Sequence, residues 1–190
     1  MSKSTLYRLS ALAGILSGSA IILGKLLIPL PNRQIGEIFD FFSPFFALLF
    51  LVGLYLGHRK ESGVFGGIAF IVLFFGLTTI VSLDYIGAFI VPYLPNGMID
   101  PLLEGPTGVV YIISGLTFLI GEIIFGISVI RAGIYSKIAA ILFLVGMFTI
   151  PLGSVFPEIV VVVGSIIAGV GLIWWGVELY KLAGRFADAG

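Results

Sequence analysis

The sequence predicts an all-α membrane protein, a bundle of six transmembrane helices in a single domain over residues 1–190. Hydrophobic residues make up 59% of the chain, and charged residues make up only 11%. Soluble domains are nearer half apolar and one quarter charged, so lipid must be the solvent for most of this surface. The apolar residues also fall into six runs, each close to the roughly 20 residues that cross a bilayer.

Prolines, glycines and polar turns separate the predicted spans. Pro31 follows the first span, the polar turn HRKESG at 58–63 separates the second from the third, and Gly133 and Pro157 precede the last two. Pro151 falls near the end of the fifth span, where a spanning helix tolerates proline well. The six spans cover residues 6–30, 39–57, 64–92, 108–131, 136–155 and 158–180.

The distribution of lysine and arginine predicts the orientation. An even number of spans places both termini, the 58–63 turn and the 131–137 turn on one side of the membrane. That side holds eight basic residues, whereas the other side holds only Lys25 and Arg33. Because basic residues accumulate in cytoplasmic loops, we expect both termini in the cytoplasm of a bacterial cell, with the chain crossing its inner membrane several times.

The sequence also contains an internal similarity. Residues 63–80 and 133–150 are identical at seven of eighteen aligned positions. The two blocks are two spans apart, so they cross the membrane in the same direction. This pattern predicts a parallel repeat of helical hairpins, helices 2–3 and helices 4–5. Chance identity between two apolar segments is the alternative.

Glu122 is a carboxylate inside the fourth span. At 1.5 Å per residue from Gly108, it lies roughly 20 Å below the outer surface, past the midplane. An ionised carboxylate at that depth costs roughly 3 kcal/mol or more, so it is either kept neutral or points toward donors such as Tyr111, Ser114 or Ser128. Glu122 is therefore the candidate ligand or proton site. A carboxyl group that only holds two helices together is the alternative.

Lys25 and Asp84 form a second candidate site. The first and third helices both run outward, and counting residues along them places both side chains near the outer boundary. The sequence therefore predicts an ion pair at that boundary. Separate extension of each side chain to the lipid headgroups is the alternative.

Small residues mark the predicted helix contacts. Gly14 and Gly18 lie four residues apart on the first span, as Gly164 and Ala168 do on the sixth. Such spacing lets helix backbones approach closely, within this chain or against another protein. The aromatic run FDFFSPFFALLF at 39–50 predicts contact with lipid, or else the lining of a cavity for an apolar ligand.

The composition excludes several classes of function. The chain has no cysteine, which excludes disulfides, thiolate catalysis and Cys-ligated metal clusters. His58 is the one histidine, and its place in the HRKESG turn predicts an exposed loop residue. No Ser/His, paired-Asp or HExxH arrangement exists, and the net charge is zero. We therefore expect no catalytic residue, no enzyme activity, no metal or other cofactor, and no nucleic-acid partner.

Three segments carry a family resemblance: GHRKESGVFGG, LDYIGAFIVPYLP and LIGEIIFGISVIRAGIYSKIAAILFLVG. The chain resembles a group of uncharacterised bacterial six-helix membrane proteins, in which a helix ends in a G-I-x-x-x-R-A-G-like turn before another apolar helix. This resemblance covers nearly the whole chain and implies the six-span fold, but no activity and no functional residues. In length and span count the chain is also similar to the substrate-binding subunits of energy-coupling-factor vitamin transporters, an analogy that implies ligand binding.

Two functions agree with these features. The first is a non-enzymatic accessory or scaffold subunit that acts through helix–helix and lipid contacts, with other membrane subunits or further copies of the chain as partners. The alternative is a subunit that binds or transports a small solute or apolar ligand, with Glu122 as its polar anchor. The sequence favours the first, because buried polar groups are few and small-residue faces are many.

Overall fold

The protein is built from α-helices, and the computed structural model describes residues 3–28, 33–95, 97–152 and 155–187. The helices are α1 (Lys3–Leu27), α2 (Arg33–Phe89), a 3-10 turn (Val91–Tyr93), α3 (Ile99–Leu103), α4 (Pro106–Ala132), α5 (Lys137–Met147) and α6 (Glu158–Ala187). Over those ranges, four helices, α1, α2, α4 and α6, are long and apolar enough to cross a membrane. The predicted all-α class is confirmed, and these apolar helices are the kind expected of a membrane protein.

Helix α2 is a hairpin, in which a first arm (residues 33–62) and a second arm (residues 64–89) meet at Gly63. Gly63 has φ 56° and ψ −146°, a backbone conformation that is open to glycine and strained for other residues. The sequence predicted a turn over the whole of 58–63. The first arm instead stays helical until Gly63, so the bend is confined to one residue.

Aromatic contacts show that the two arms of α2 fold back on each other. Near the bend, the ring centroids of Tyr55 and Phe70 lie 4.6 Å apart in a stacked arrangement. At the far ends, the ring centroids of Phe41 and Phe89 lie 5.4 Å apart. The two arms therefore run antiparallel.

Helix α5 is shorter than the sequence predicts. The predicted span runs to residue 155, whereas α5 ends at Met147. Pro151 explains the difference, because its ring would collide with the Met147 carbonyl and because it disfavours a helical conformation at the residue before it. The 11 residues of α5 rise only about 16 Å, less than the thickness of a bilayer core. Helix α6, in contrast, continues to Ala187, past its predicted end at residue 180.

The helices form a closed ring: α1, the first arm, the second arm, α4, α5 and α6, with α6 returning to α1. Neighbouring helices meet at glycines. A Cβ atom on Gly18 of α1 would overlap the carbonyl oxygen of Gly169 on α6. A Cβ atom on Gly121 of α4 would lie 2.6 Å from the Cα atom of Leu73 on the second arm. The absence of a side chain at these positions lets the backbones touch.

The four small residues singled out in the sequence lie at contacts within the chain. Each packs against a neighbouring helix or turn: Gly14 on Phe50, Gly18 on Gly169, Gly164 on Thr149 and Ala168 on Gly146. These residues therefore hold the ring together.

The two blocks of the internal similarity share some local features but not their turn geometry. Gly63 and Gly133 both have positive φ, at 56° and 68°, but their ψ angles are −146° and 14°, and α5 begins only at Lys137. Thr79 and Thr149 each donate a hydrogen bond of 2.8 Å to the carbonyl of the glycine three residues earlier. The blocks differ at their ends, because the second arm continues to Phe89 whereas α5 stops before Pro151. The parallel hairpin repeat stays a prediction.

The glycine contacts generate a stability prediction. Gly121→Ala is expected to lower the free energy of unfolding by about 1–3 kcal/mol, because the added methyl group overpacks the contact with Leu73. Gly115→Ala is the matched control on the same helix, since a Cβ atom there meets nothing within 4 Å. We expect the control to be neutral or slightly stabilising. The melting temperatures of the two variants and the wild type in one detergent provide the measurement, and equal effects of the two substitutions would contradict the ring packing.

Candidate binding cavity

A cavity of about 580 Å³ lies in the middle of the ring. All six helical segments of the ring contribute to its wall. Its volume falls in the range of roughly 300–1,000 Å³ that is typical of small-molecule sites. Most of the wall is apolar, and its aromatic side chains are Phe50, Tyr111, Phe118, Phe125, Phe143 and Trp175. The aromatic residues of the 39–50 run are divided, because Phe50 lines this cavity while Phe45 is exposed on the outside of the ring.

One end of the cavity is polar. Lys25, in the last turn of α1, forms an ion pair with Asp40 in the first arm. The helices approach closely there because Gly24 has no side chain, and the Asp40 carboxylate occupies the space that a Cβ atom would fill. Glu37 and Asp84 line the same end. This end therefore carries three carboxylates and one ammonium group.

The prediction that Lys25 pairs with Asp84 is wrong, because Lys25 has a different partner. Lys25 pairs with Asp40, which lies on the helix adjacent to α1 in the ring. Asp84 does line the same end of the cavity, on the second arm, as the depth count predicted. It forms no ion pair within 4 Å among the residues that the structure describes.

Glu122 lies at the apolar end of the cavity. Its side chain is 1% exposed, and it contributes to the cavity wall. Within the described residues neither carboxylate oxygen has a hydrogen-bond partner, so Tyr111, Ser114 and Ser128 do not serve as the predicted donors. The indole Nε1 of Trp175, also buried and in the cavity wall, likewise lacks a partner in the described chain.

The contact between α4 and the second arm places Glu122 in the cavity wall. Gly121 is pressed against the backbone of Leu73, which fixes the rotation of α4 about its axis. Phe118 and Phe125 lie four residues before and three residues after Glu122, so the three side chains share one face of the helix. All three are buried and line the cavity.

Asp84 at the polar end of the cavity and Glu122 at its apolar end are well separated. Leu73 lies beside Gly121, and Asp84 lies 11 residues further along the second arm. At 1.5 Å per residue this is a distance of about 16 Å along the arm. The cavity is therefore elongated, with Asp84 near one end, Glu122 near the other, and apolar side chains between them.

His58 is buried, and the prediction of an exposed loop histidine is wrong. Its side chain is 0% exposed, and its Nδ1 lies 2.7 Å from the Leu54 carbonyl oxygen. Since a carbonyl can only accept, Nδ1 carries the proton and donates this bond. The ring packs edge-on against Phe125 and Tyr135. His58 therefore lies behind the cavity wall that Leu54 and Phe125 form, rather than in the cavity.

The arrangement supports binding, because an apolar chamber with a buried carboxylate in its wall can hold a ligand. In the described ranges no group of three or more His, Asp or Glu side chains could hold a metal ion. Comparison of the chain with protein-family models, with curated proteins and with solved structures gave no match.

The unpartnered carboxylate generates a second stability prediction. Glu122→Met is expected to raise the free energy of unfolding of the empty protein by about 1–3 kcal/mol, because a buried polar group without a partner is destabilising. Asp40→Asn, which removes the charge that pairs with Lys25, is the contrasting variant and is expected to lower stability. Thermal denaturation without added ligand measures both. A loss of stability in Glu122→Met would mean that its carboxylate has a structural partner.

Proposed function

We propose that the chain is a multi-pass protein of the bacterial inner membrane that binds a small, largely apolar molecule in its central cavity, with Glu122 as the polar anchor. The function is binding, or binding as a step of transport, without a chemical reaction. Glu122 is the observation that carries the proposal: a fully buried carboxylate in the wall of a preformed cavity, with no hydrogen-bond partner in the described chain. Such groups are costly in a membrane protein and are typically functional.

The proposed topology has six crossings. The two arms of α2 make the second and third crossings, and α5 with its following turns makes the fifth. With both termini in the cytoplasm, Lys25 at the far end of α1 comes to the outer side, so the polar end of the cavity faces outward. This arrangement agrees with the resemblance to uncharacterised six-helix membrane proteins. It also suits the analogy in length and span count with the substrate-binding subunits of energy-coupling-factor transporters.

The accessory or scaffold role stays a second prediction with less support. It relied on the small number of buried polar groups and on small-residue faces that could contact this chain or a partner. Gly18 and Gly164 pack on Gly169 and Thr149 of the same chain, so these two positions serve internal contacts. The buried carboxylate of Glu122 in the cavity wall favours ligand binding.

Trp175 provides a built-in reporter for a test of cavity binding. The chain has two tryptophans, and Trp174→Phe leaves Trp175, in the cavity wall, as the one that emits. A bromobiphenyl probe is expected to quench Trp175 saturably in nanodiscs of phosphatidylcholine, because bromine quenches tryptophan only at close range. Fluorescence titration measures the affinity.

Gly115→Leu and Gly184→Leu make a matched pair of variants for this titration. A Cβ atom at either position meets nothing within 4 Å, but only Gly115 lines the cavity. Gly115→Leu is expected to fill part of the cavity and weaken quenching at least about tenfold, the effect of roughly 1.4 kcal/mol, whereas Gly184→Leu leaves the affinity unchanged. Equal titrations for the two variants would place the probe in lipid and refute the binding function.

Cysteine labelling tests the proposed topology. The natural chain has no cysteine, so single cysteines can be introduced at the exposed positions Asp100, Lys60 and Lys181. A membrane-impermeant maleimide is expected to label Asp100→Cys in intact spheroplasts, and to label Lys60→Cys and Lys181→Cys only after permeabilisation. Labelling of Lys60→Cys and Lys181→Cys from opposite sides would contradict an even number of crossings between them.

A further inference from the structure

We infer that the ligand of the central cavity is an elongated organic cation, a lipophilic amine whose ammonium group binds Glu122. This inference rests on the proposed binding function and adds the chemical class of the ligand. The inference follows from two observations: which charged side chains in the cavity wall are paired, and that the rest of the wall is apolar and aromatic.

Two of the carboxylates at the polar end are neutralised by neighbours. Asp40 pairs with Lys25, and Glu37 accepts a hydrogen bond of 2.9 Å from the Arg33 guanidinium. Asp84 has no such partner among the described residues, although Lys25 lies close enough to influence it. The polar end of the cavity is therefore acidic overall.

The apolar end contains a carboxylate and no base. Glu122 is the charged residue that α4 contributes to the wall, and the described parts of α5 and α6 contribute none. Lys25 is the one basic residue in the wall, and it lies at the opposite end, paired with Asp40. A bound anion would face Glu122 and Asp84 with no compensating charge. A bound cation would compensate one of them.

An ammonium group matches what Glu122 lacks. It has three N–H donors, and the two unpartnered carboxylate oxygens are acceptors of charge-assisted hydrogen bonds. The aromatic faces of Phe118 and Phe125, which flank Glu122 on α4, can add cation–π attraction. A neutral ligand with a hydroxyl group could donate one hydrogen bond to these oxygens, but it would bring no charge to compensate the carboxylate.

The apolar wall argues for an organic cation over a metal ion. Calcium and magnesium need roughly six or more oxygen ligands, whereas the apolar end presents one carboxylate among phenylalanine and leucine side chains. The elongated shape, about 16 Å from Asp84 to the level of Glu122, suits a hydrocarbon or aromatic body behind the ammonium group. Asp84 would attract such a cation at the polar end before it reaches Glu122.

Three probes that share a bromobiphenyl group and differ in one substituent test which ligand charge the cavity prefers. We use a bromobiphenyl that carries an aminomethyl, a hydroxymethyl or a carboxylate group, and titrate Trp175 quenching in the Trp174→Phe protein in phosphatidylcholine nanodiscs. The amine is expected to bind at least about tenfold more tightly than the alcohol, because only the ammonium group brings a positive charge to the carboxylate. The carboxylate is expected to bind weakest.

Glu122→Gln identifies the group that selects the cation. In this variant the amine-to-alcohol affinity ratio is expected to fall to about one, because Gln retains the shape but not the charge. Glu104→Gln, which removes an exposed acid outside the cavity, is the control and should keep the wild-type ratio. Subtraction of the Gly115→Leu titration removes any quenching by probe dissolved in the lipid.

The outcomes separate this inference from the binding function. If the amine and the alcohol bind the wild type equally, or if Glu122→Gln keeps the preference for the amine, the cation assignment is wrong while cavity binding stands. If no probe quenches Trp175 in a way that Gly115→Leu weakens, the binding function itself fails.

Discussion

Contact between helix backbones at small residues is the constraint on which the rest of the structure depends. Lipid gives little hydrophobic drive between helices, so their association relies on close packing. Gly18 and Gly121 place that packing on the sides of the helices, where neighbours in the ring touch. The bulky side chains, such as Phe118 and Trp175, then point to the middle, where they form a buried core and also line the cavity.

The same packing explains how a carboxylate comes to face the cavity and what it costs. The close contact of Gly121 with Leu73 sets the rotation of α4, and the next residue, Glu122, lies in the cavity wall. Its oxygens gain no partner there, whereas Lys25 and Asp40 at the other end neutralise each other and join α1 to α2. Proteins that sacrifice stability at one buried polar group usually do so for function. Asp40 has an ion-pair partner, whereas Glu122 has no hydrogen-bond partner among the described residues. This difference supports the proposed binding function and the proposed cationic ligand.

Local features of the chain could be predicted from the sequence, and contacts between helices could not. Prolines, glycines and apolar runs predict where most of the helices begin and end. The apolar residues on both sides of Glu122 predict that it is buried. His58 was misassigned because Arg59 and Lys60 beside it are polar; the helix continues past them, so His58 repeats the buried position of Leu54 one turn later. Counting residues located the depth of Lys25 but not its partner, because depth does not say which helices are adjacent. The cavity belongs to the assembled ring and has no local signature.

An experimental structure of the protein purified from its native membrane, without added ligand, tests the central claim most directly. The expected result is elongated density in the cavity that ends about 2.7–2.9 Å from a Glu122 carboxylate oxygen, the distance of a charge-assisted hydrogen bond. The contradicting result is a closed cavity in which a side chain from another helix donates a hydrogen bond to Glu122. In that case the carboxylate would be a structural link between helices, and no ligand would be needed to explain it.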